Sequence, residues 1–255
     1  MKKSRKRLLT AQIMTLSRRD EQILKEHFSG AEYDAALEKL EKRMPLAYVI
    51  GEWYFWDGVF KLNEDCLIPR PDTEHLVEYL VKHLPENAYF ADFCTGSGCI
   101  AISVLRSRKD CRAIGFDISP GAVECARYNA VAMGVSDRLD LYVCDLKNIE
   151  ALTAYIDKGV LDAIASNPPY IRTDVIPTLE AEVSYEPVTA LDGGADGLDF
   201  YRLFLGYEYR KLVKPGGFIA FEIGYDQSED IKKLGRFKLY KDYGGNFRVA
   251  VTEID

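Results

Sequence analysis

Short apolar runs alternate with helix-like patterns over much of this 255-residue chain. The apolar runs predict five strands, at residues 89–93, 113–116, 139–143, 161–166 and 218–223. Helices are expected at about residues 73–84, 100–105 and 199–213. Residues 237–240 and 248–254 predict a final hairpin around Gly244, Gly245 and Asn246. Together these elements predict an α/β domain.

The first 45 residues carry a different, purely helical pattern. Apolar residues recur at helical spacing on both sides of Gly30, at Leu8, Ile13, Leu16, Ile23, Leu24 and Phe28, and then at Tyr33, Ala36, Leu37, Leu40 and Met44. Gly30 is predicted to separate two helices, and Pro45 to end the second. Residues 47–67 alternate aromatic and polar positions around Asp57 and Gly58, which predicts a β-hairpin. We therefore divide the chain into an N-terminal helical domain (1–45), a hairpin linker (46–70) and a main domain (71–255).

A glycine-rich turn follows the first predicted strand of the main domain. Its residues are Cys94, Thr95, Gly96, Ser97 and Gly98. Glycines at such a point permit positive φ and a close approach of ligand to backbone. Asp117 ends the next strand 21 residues after Gly96, where an acceptor for ribose hydroxyls is expected in a nucleotide-binding βαβ unit. Gly-x-Gly alone is more often only a tight turn, so the prediction depends on the whole order of strand, turn, helix, strand and acid.

The segment Asn167-Pro168-Pro169-Tyr170 follows the strand predicted at residues 161–166. Its two prolines remove two backbone donors and hold the chain extended, so carbonyl acceptors dominate this loop. Asn167 adds a side-chain carbonyl, and Tyr170 adds an aromatic face. This combination predicts a clamp for a planar NH2 group. The alternative is an ordinary Pro-Pro turn after a strand.

The order of the strands predicts that the glycine turn and this clamp are neighbours. At the switch point of an open α/β sheet, adjacent strands send their connections in opposite directions, and ligands bind in the crevice between them. A cofactor over residues 94–98 would then lie beside Asn167, and Asp145, after the strand at 139–143, could accept from an adenine amino group. Methyl transfer to nitrogen fits this arrangement better than hydride transfer, which requires no amine clamp.

Charge and composition limit the classes of partner. Residues 1–45 carry 11 Lys and Arg against 7 Asp and Glu, so residues 46–255 hold a net charge of −11 within a chain of −7. This acidic balance argues against stable nucleic-acid binding by the main domain. No run of about 18 apolar residues predicts a membrane span, and the basic stretch 2–7 lacks the other parts of a secretory signal. The six cysteines have no metal-ligand or disulfide spacing, so we expect reduced thiols, no metal and a cytoplasmic protein.

Several stretches resemble one enzyme family. They are residues 45–51 (PLAYVIG), 67–74 (LIPRPDTE), 94–102 (CTGSGCIAI), 166–171 (SNPPYI), 186–191 (EPVTAL), 221–224 (FEIG) and 242–244 (DYG). In these stretches the chain resembles the bacterial glutamine-N5 methyltransferases that modify peptide chain release factors, the PrmC/HemK family. NPPY is shared with DNA adenine methyltransferases, whereas LIPRPDTE is much more particular to this family.

The resemblance implies a seven-stranded, Rossmann-like methyltransferase domain with a reversed last hairpin. This domain would bind S-adenosyl-L-methionine and release S-adenosyl-L-homocysteine. The turn from Cys94 to Gly98 would line the methionine part of the cofactor, Asp117 the ribose, and Asp145 with Leu146 the adenine. The protein would act as a monomer on class I release factors, without binding nucleic acid or membranes.

The resemblance also implies a substrate pocket. Asn167 and Pro168, with Pro169 and Tyr170 beside them, would hold the side-chain amide of the glutamine in the Gly-Gly-Gln motif. Phe55 would form a wall of this pocket, and Arg70 would brace it. We assign no general base, because the methylated amide is acidic enough to lose its proton to water. Glu74 and Glu222, two acids near the expected site, are given structural roles.

Two departures from the family pattern are expected to matter. Cys94 stands where glycine is usual, which is acceptable only if this residue needs no positive φ, and the N-terminal helical domain is shorter than usual. Two other functions stay open. An adenine-N6 methyltransferase of DNA or RNA would use the same clamp on a flipped base, and a non-catalytic module would bind the cofactor without turnover.

Overall fold

The computed structural model describes residues 17–255. The predicted apolar positions Leu8, Ile13 and Leu16 and the basic stretch 2–7 therefore lie outside the described residues. The described residues form nine strands, which are β1 (Glu52–Phe55), β2 (Gly58–Lys61), β3 (Tyr89–Phe93), β4 (Arg112–Asp117), β5 (Leu139–Val143), β6 (Leu161–Ser166), β7 (Val213–Glu222), β8 (Lys238–Lys241) and β9 (Phe247–Glu253).

Seven of these strands form one sheet in the order β5-β4-β3-β6-β7-β9-β8. The first five are parallel, and β9 runs antiparallel to both of its neighbours. The predicted seven-stranded α/β fold with a reversed last hairpin is confirmed. β1 and β2 form a separate hairpin that turns at Trp56 and Asp57, as the alternating pattern predicts.

Ten helices connect and flank these strands in residues 17–255. They are α1 (Arg18–His27), α2 (Ala31–Glu41), α3 (Leu46–Ile50), α4 (Glu74–His83), α5 (Cys99–Ser107), α6 (Pro120–Ala132), α7 (Ile149–Leu152), α8 (Asp199–Leu205), α9 (Tyr207–Arg210) and α10 (Ser228–Leu234). Short 3-10 turns lie at Pro71–Thr73, Ile176–Thr178, Val183–Tyr185 and Val188–Ala190. No helix within this part of the chain is long and apolar enough to cross a membrane.

The structure corrects the predicted helix at residues 199–213. Gly206 has an extended backbone (φ −59°, ψ 150°), and it divides the segment into α8 and α9. β7 then begins at Val213, five residues earlier than predicted, and pairs with Leu161 ahead of an irregularity in the β6–β7 register. The apolar pattern did not predict α6, although Ser119 and Pro120 mark its start: the Ser119 hydroxyl accepts from Ala122 N over 3.2 Å.

The N-terminal helices pack on a small core of their own. Leu24 of α1, Leu40 of α2 and Val49 of α3 are buried together. Gly30 separates α1 from α2 with a φ of +54°, as predicted. Pro45, however, precedes α3 instead of ending α2. The division of the chain at residues 45 and 70 stays a prediction.

The sheet has a buried apolar layer on each face. One layer joins α4, α5 and α6 to the sheet, and the other joins α8 and α9 to the opposite face. The hairpin adds Phe55 and Phe60 to the first layer, with their rings edge to face at 5.9 Å between centroids. Aromatic side chains thereby fix the hairpin to the domain that carries the site.

We expect Phe55→Ala to lower the free energy of unfolding by about 3–5 kcal/mol, since it leaves a cavity at a side chain that is only 1% exposed. Urea unfolding followed by circular dichroism measures the change. Tyr54→Ala is the matched control, because Tyr54 is 63% exposed on the same strand and should change stability by no more than about 0.5 kcal/mol. Equal urea midpoints for Phe55→Ala and the wild type would contradict a core role for Phe55.

Candidate active site

A cavity of about 310 Å³ opens at the carboxyl ends of β3, β4, β5 and β6. It lies at the switch point, because the connection after β3 leads to β4 on one side while β6 pairs on the other. Of the predicted site residues, those that line the cavity are Arg70, Cys94, Thr95, Gly96, Ser97, Asp117, Asp145, Leu146, Asn167 and Pro169. Those that do not line it are Phe55, Gly98, Pro168 and Tyr170.

Backbone hydrogen bonds hold the glycine turn between β3 and β4. Thr95 N donates to the carbonyl of Phe116 (3.0 Å), and Gly96 N donates to Asp117 Oδ2 (2.9 Å). Gly98 caps α5 with a φ of +80°, and a Cβ at this position would lie 2.8 Å from Ile102 Cδ1. Gly98 thus serves the close packing of the turn on α5 and does not face the cavity.

Cys94 has a φ of +59°, which is the left-handed region that favours glycine. The expectation that this cysteine occupies a position of negative φ is therefore wrong. Burial and the nearby Asp117 raise the pKa of its thiol well above the ordinary value. A thiol with a raised pKa is not a ready nucleophile, so Cys94 serves as an apolar wall of the cavity.

Two acidic side chains, Asp117 and Asp92, accept hydrogen bonds from the glycine turn. Asp117 accepts from Gly96 N and, through Oδ1, from Ser119 N at 2.9 Å, while burial raises its pKa. Asp92 is fully buried, and its Oδ2 accepts from Thr95 Oγ1 (2.7 Å) and Ala101 N (3.2 Å). Burial raises the pKa of Asp92 to about 7. Asp117 therefore builds the turn in addition to any contact with a ligand.

The segment after β5 forms the far end of the cavity. Leu146 is buried, and its carbonyl accepts from the hydroxyl of Tyr209. Asp145 is exposed, and its Oδ1 accepts from Lys147 N over 2.9 Å. The side chain of Leu146 could pack on the face of a planar heterocycle, and the carboxylate of Asp145 could accept a hydrogen bond from an amino group at its edge.

The clamp segment follows β6 at the opposite end of the cavity. Asn167 and Pro169 line the cavity, whereas Tyr170 turns its hydroxyl toward Glu222 Oε1 at 3.3 Å. Gln227 Nε2 donates to the carbonyl of Tyr170 (3.0 Å), which fixes the backbone behind the clamp. Tyr170 does not offer its ring to the cavity as predicted, because the ring packs against the apolar layer beside α8 and α9 and the hydroxyl is bound to a buried carboxylate.

The side-chain amide of Asn167 has a defined orientation. Its Nδ2 donates to the hydroxyl of Thr73 over 3.1 Å, and its Oδ1 accepts no hydrogen bond from any residue between 17 and 255. The free oxygen can accept from a bound NH2 group, as the clamp prediction requires. Thr73 was missed by sequence reasoning, although it lies within the LIPRPDTE stretch.

Arg70 is fixed by a buried acid. Its guanidinium pairs with Glu186 Oε1, and Glu186 Oε2 accepts from Ile68 N at 3.1 Å. This ion pair joins the segment ahead of α4 to the long loop 171–198, which adds Val188 to the cavity wall. The bracing role of Arg70 stays a prediction, for which this ion pair supplies the contact.

Phe55 lies in the core against Phe60 and away from the cavity, unlike the prediction that it walls the pocket. Leu67 and Pro69 line the cavity in its place, and Phe200 of α8 lines it from the other side. Aromatic alternation in a hairpin indicates which face is buried but not what covers that face. The motif stretch itself, with Leu67 at its first position, was the signal that could have located the wall.

The sheet order, the cavity at the switch point and the oriented amide beside it define a Rossmann-like methyltransferase. A family model described as the methyltransferase small domain matches residues 72–182. The hMettl16 catalytic domain in complex with MAT2A 3′UTR hairpin 1 has a similar fold, with a TM-score of 0.62 and 13% identity over 94% of this chain and 92% of that one. TrmN from Thermus thermophilus has a TM-score of 0.50 and 21% identity over 71% of this chain and 48% of that one. Such low identities show the fold alone.

Three sequence relatives share one name, release factor glutamine methyltransferase. The protein of Clostridium acetobutylicum is 38% identical over 213 residues, which cover 82% of this chain and 73% of that one. The protein of Caulobacter vibrioides is 41% identical over 203 residues (78% and 68%), and that of Agrobacterium fabrum 36% over 260 residues (95% and 87%). The chain belongs to the family of release factor glutamine methyltransferases.

We expect Cys94→Gly to be more stable than Cys94→Ala by about 1 kcal/mol. Both variants remove the thiol, but alanine keeps the strain of a Cβ at positive φ, which costs roughly 1–2 kcal/mol, whereas glycine loses roughly 0.5–1 kcal/mol of backbone entropy. Urea unfolding of the two variants in parallel gives the difference directly. A more stable alanine variant would show that the left-handed backbone is not strained.

We expect the free energy of unfolding to fall as the pH is raised from about 5 to about 8. Asp92 has a pKa of about 7 in the folded protein, above that of an unfolded aspartate, so the folded state binds the proton more tightly and loses this advantage as the proton leaves. One such group contributes at most about 1.4 kcal/mol per pH unit. Asp92→Asn should make the profile less steep, because the slope of Glu222, whose pKa is also raised to about 7, would remain, and parallel profiles for variant and wild type would refute the assignment.

Proposed function

We propose that this protein transfers a methyl group from S-adenosyl-L-methionine to the side-chain amide nitrogen of the glutamine in the Gly-Gly-Gln motif of bacterial class I peptide chain release factors. The observation that carries this proposal is the orientation of Asn167 at the cavity wall: its Nδ2 is held by Thr73, and its Oδ1 accepts no hydrogen bond from residues 17–255. An acceptor fixed in this way selects a ligand that brings N–H donors, as an amide does. Membership of the family of release factor glutamine methyltransferases identifies this amide as that of a release factor glutamine.

The residues around the cavity fit S-adenosyl-L-methionine. Asp117 has lone pairs left for ribose hydroxyls, and Leu146 with Asp145 offers an apolar face and an acceptor to the adenine. Thr95, Gly96 and Ser97 of the glycine turn line the cavity beside Asp117, where the methionine part of the cofactor would lie. When bound, this cofactor supplies an electrophilic methyl group on a sulfonium.

The work of the protein is alignment and charge stabilisation. A glutamine amide nitrogen is a weak nucleophile, because its lone pair is delocalised into the carbonyl. Asn167 Oδ1 accepts from one amide hydrogen and so orients the nitrogen, and the family resemblance implies the carbonyl of Pro168, the next residue along the chain, as the acceptor for the other. These hydrogen bonds strengthen as positive charge develops on the nitrogen, which favours the transition state over the ground state. The methylated amide then loses its proton to water, and no general base is assigned.

Apolar residues of the cavity support binding of a glutamine side chain from a protein substrate. Leu67, Pro69 and Val188 form apolar walls for the methylene groups of a glutamine side chain, and the pair of Arg70 with Glu186 holds these walls together. We propose that the N-terminal helical domain assists docking of the release factor. We also propose that the enzyme acts as a monomer in the cytoplasm, and that its six thiols, all free in the described chain, stay reduced there.

We expect Asn167→Ala to slow methyl transfer by about 100-fold or more, the scale of losing one preorganised contact to developing charge. Single-turnover rates are measured with labelled, saturating S-adenosyl-L-methionine and a release factor that carries the Gly-Gly-Gln motif. Cofactor affinity, measured by calorimetry, should hardly change, because the glycine turn and Asp117 are untouched.

Two controls make the result specific. Asn246→Ala removes an exposed asparagine in the turn between β8 and β9 and should leave the rate unchanged. A release factor with glutamine replaced by alanine should accept no label, and a DNA or RNA duplex in its place should accept none either. Transfer at the wild-type rate by a folded Asn167→Ala enzyme would refute the clamp, and label on the nucleic acid alone would refute the substrate.

A further inference from the structure

A chain of polar side chains connects the clamp to a buried acid on the neighbouring strand. Asn167 Nδ2 donates to Thr73 Oγ1 (3.1 Å), and the hydroxyl of Thr73 is close enough to the carboxylate of Glu222, which ends β7, to lower the pKa of that carboxyl. Thr73 is 2% exposed and Glu222 1% exposed. Tyr170 of the clamp segment donates to Glu222 Oε1 (3.3 Å), whereas Glu222 Oε2 has no hydrogen-bond partner among residues 17–255. One buried carboxylate is thus reached from both ends of the clamp.

The direction of this hydrogen-bond chain depends on the charge of Glu222. An ionised carboxylate only accepts, so the single hydrogen of the Thr73 hydroxyl can turn toward Glu222. The lone pairs of Thr73 then face Asn167, which must present its NH2 group there and its oxygen to the cavity. A protonated Glu222 can donate to Thr73 instead. The Thr73 hydrogen is then free for Asn167 Oδ1, and the amide can turn its NH2 group toward the substrate.

We propose that Glu222 is a positioning residue that, through the hydroxyl of Thr73, holds the Asn167 oxygen toward the substrate amide when ionised and releases it when protonated. This inference rests on the proposed function and deepens it. It names the residue that decides whether the oxygen or the NH2 group of the Asn167 amide faces the substrate. Glu222 does not line the cavity. Its effect on transfer therefore passes entirely through Asn167.

The surroundings of Glu222 allow both protonation states near neutral pH. Burial and Asp72 raise its pKa, and the hydroxyls of Thr73 and Tyr170 together with Arg248 of β9 lower it, with a net value of about 7. Two further titratable groups face it. The hydroxyl of Tyr201 donates to the backbone carbonyl of Glu222 over 3.0 Å, and the thiol of Cys99 lies close enough for the carboxylate to raise its pKa. Both stay neutral in this range because burial raises their own pKa values.

The first test follows single-turnover methyl transfer against pH, with saturating S-adenosyl-L-methionine and a Gly-Gly-Gln release factor. The wild-type rate should rise with pH through a midpoint near 7, as Glu222 loses its proton. Glu222→Gln, which fills the same space, should lower the rate at high pH by about tenfold, the scale of one hydrogen bond, and should abolish the midpoint. Thr73→Val should do the same with Glu222 intact, and Thr73→Ser should restore both rate and midpoint.

Two comparisons separate positioning from a purely structural role. Glu74→Gln is the matched control: Glu74 is the adjacent acid, it accepts from Trp56 N over 2.9 Å, and its variant should keep the wild-type midpoint. The double variant Glu222→Gln/Asn167→Ala should be no slower than Asn167→Ala alone, since Glu222 acts only through that amide. Additive losses in the double variant, or an unchanged midpoint in Glu222→Gln, would overturn the proposal.

A second readout needs no substrate. The side-chain amide resonances of Asn167 in the 15N-labelled protein, assigned by their loss in Asn167→Ala, should shift with pH in the wild type with a midpoint near 7 and stay constant in Glu222→Gln. Absence of any shift in the wild type would overturn the inference by itself. If the resonances shift but no release factor is methylated, the inference about Glu222 survives and the proposed function fails.

Discussion

Parallel pairing of β3 with β6 places Phe93 opposite Ser166, and the hydroxyl of Ser166 donates to the carbonyl of Phe93 over 2.6 Å. The glycine turn starts at the next residue of one strand, and the clamp starts at the next residue of the other. Their proximity is therefore a property of the sheet register. A slip of one residue would turn every side chain of β6 to the opposite face, which two buried apolar layers forbid.

The loop 171–198 and Gln227 pack closely against the backbone of the clamp, residues 167–170, and so fix its conformation. A Cβ at Gly197 would lie 2.4 Å from the carbonyl oxygen of Tyr170, so the loop 171–198 lies directly on the clamp backbone. Gln227 bridges the carbonyls of Tyr170 and Gly197 at 3.0 and 3.2 Å. The same loop is joined to residues 67–70, which form one wall of the cavity, by the ion pair of Glu186 with Arg70. Clamp and wall are thereby held by one loop, which preserves their spacing.

Buried carboxyl groups are concentrated around this arrangement. Asp92 supports the glycine turn, Asp117 closes it, and Glu222 stands behind the clamp, and burial raises the pKa of all three. Burial of each carboxyl group lowers the free energy of unfolding, a penalty that an apolar side chain at the same position would avoid. What the acids contribute is orientation: Asp92 and Asp117 accept hydrogen bonds from Thr95 and Gly96 of the cavity wall, and Glu222 accepts from Tyr170 behind it. The pattern agrees with a site whose polar geometry is set before a ligand binds.

The amino-acid sequence by itself determined the elements and their order. Apolar runs located the strands, because burial on both faces of a parallel sheet demands continuous apolar residues, and the Gly and Pro punctuation located the turn and the clamp. It also placed Asn167, Asp117 and Arg70 at the cavity, since these follow strand ends or motif stretches whose positions are local. Family membership could be inferred from the same stretches.

The tertiary structure alone decided which side chains meet. The positive φ of Cys94 follows from hydrogen bonds of its turn to β4, and the removal of Phe55 from the pocket follows from its packing on Phe60. The hydrogen bond of Asn167 to Thr73, and the nearness of Thr73 that lowers the pKa of Glu222, join three segments that are far apart in sequence. Periodicity and local propensity describe only neighbours along the chain. Partners brought together by packing of distant segments leave no such local signal, so only the folded chain reveals them.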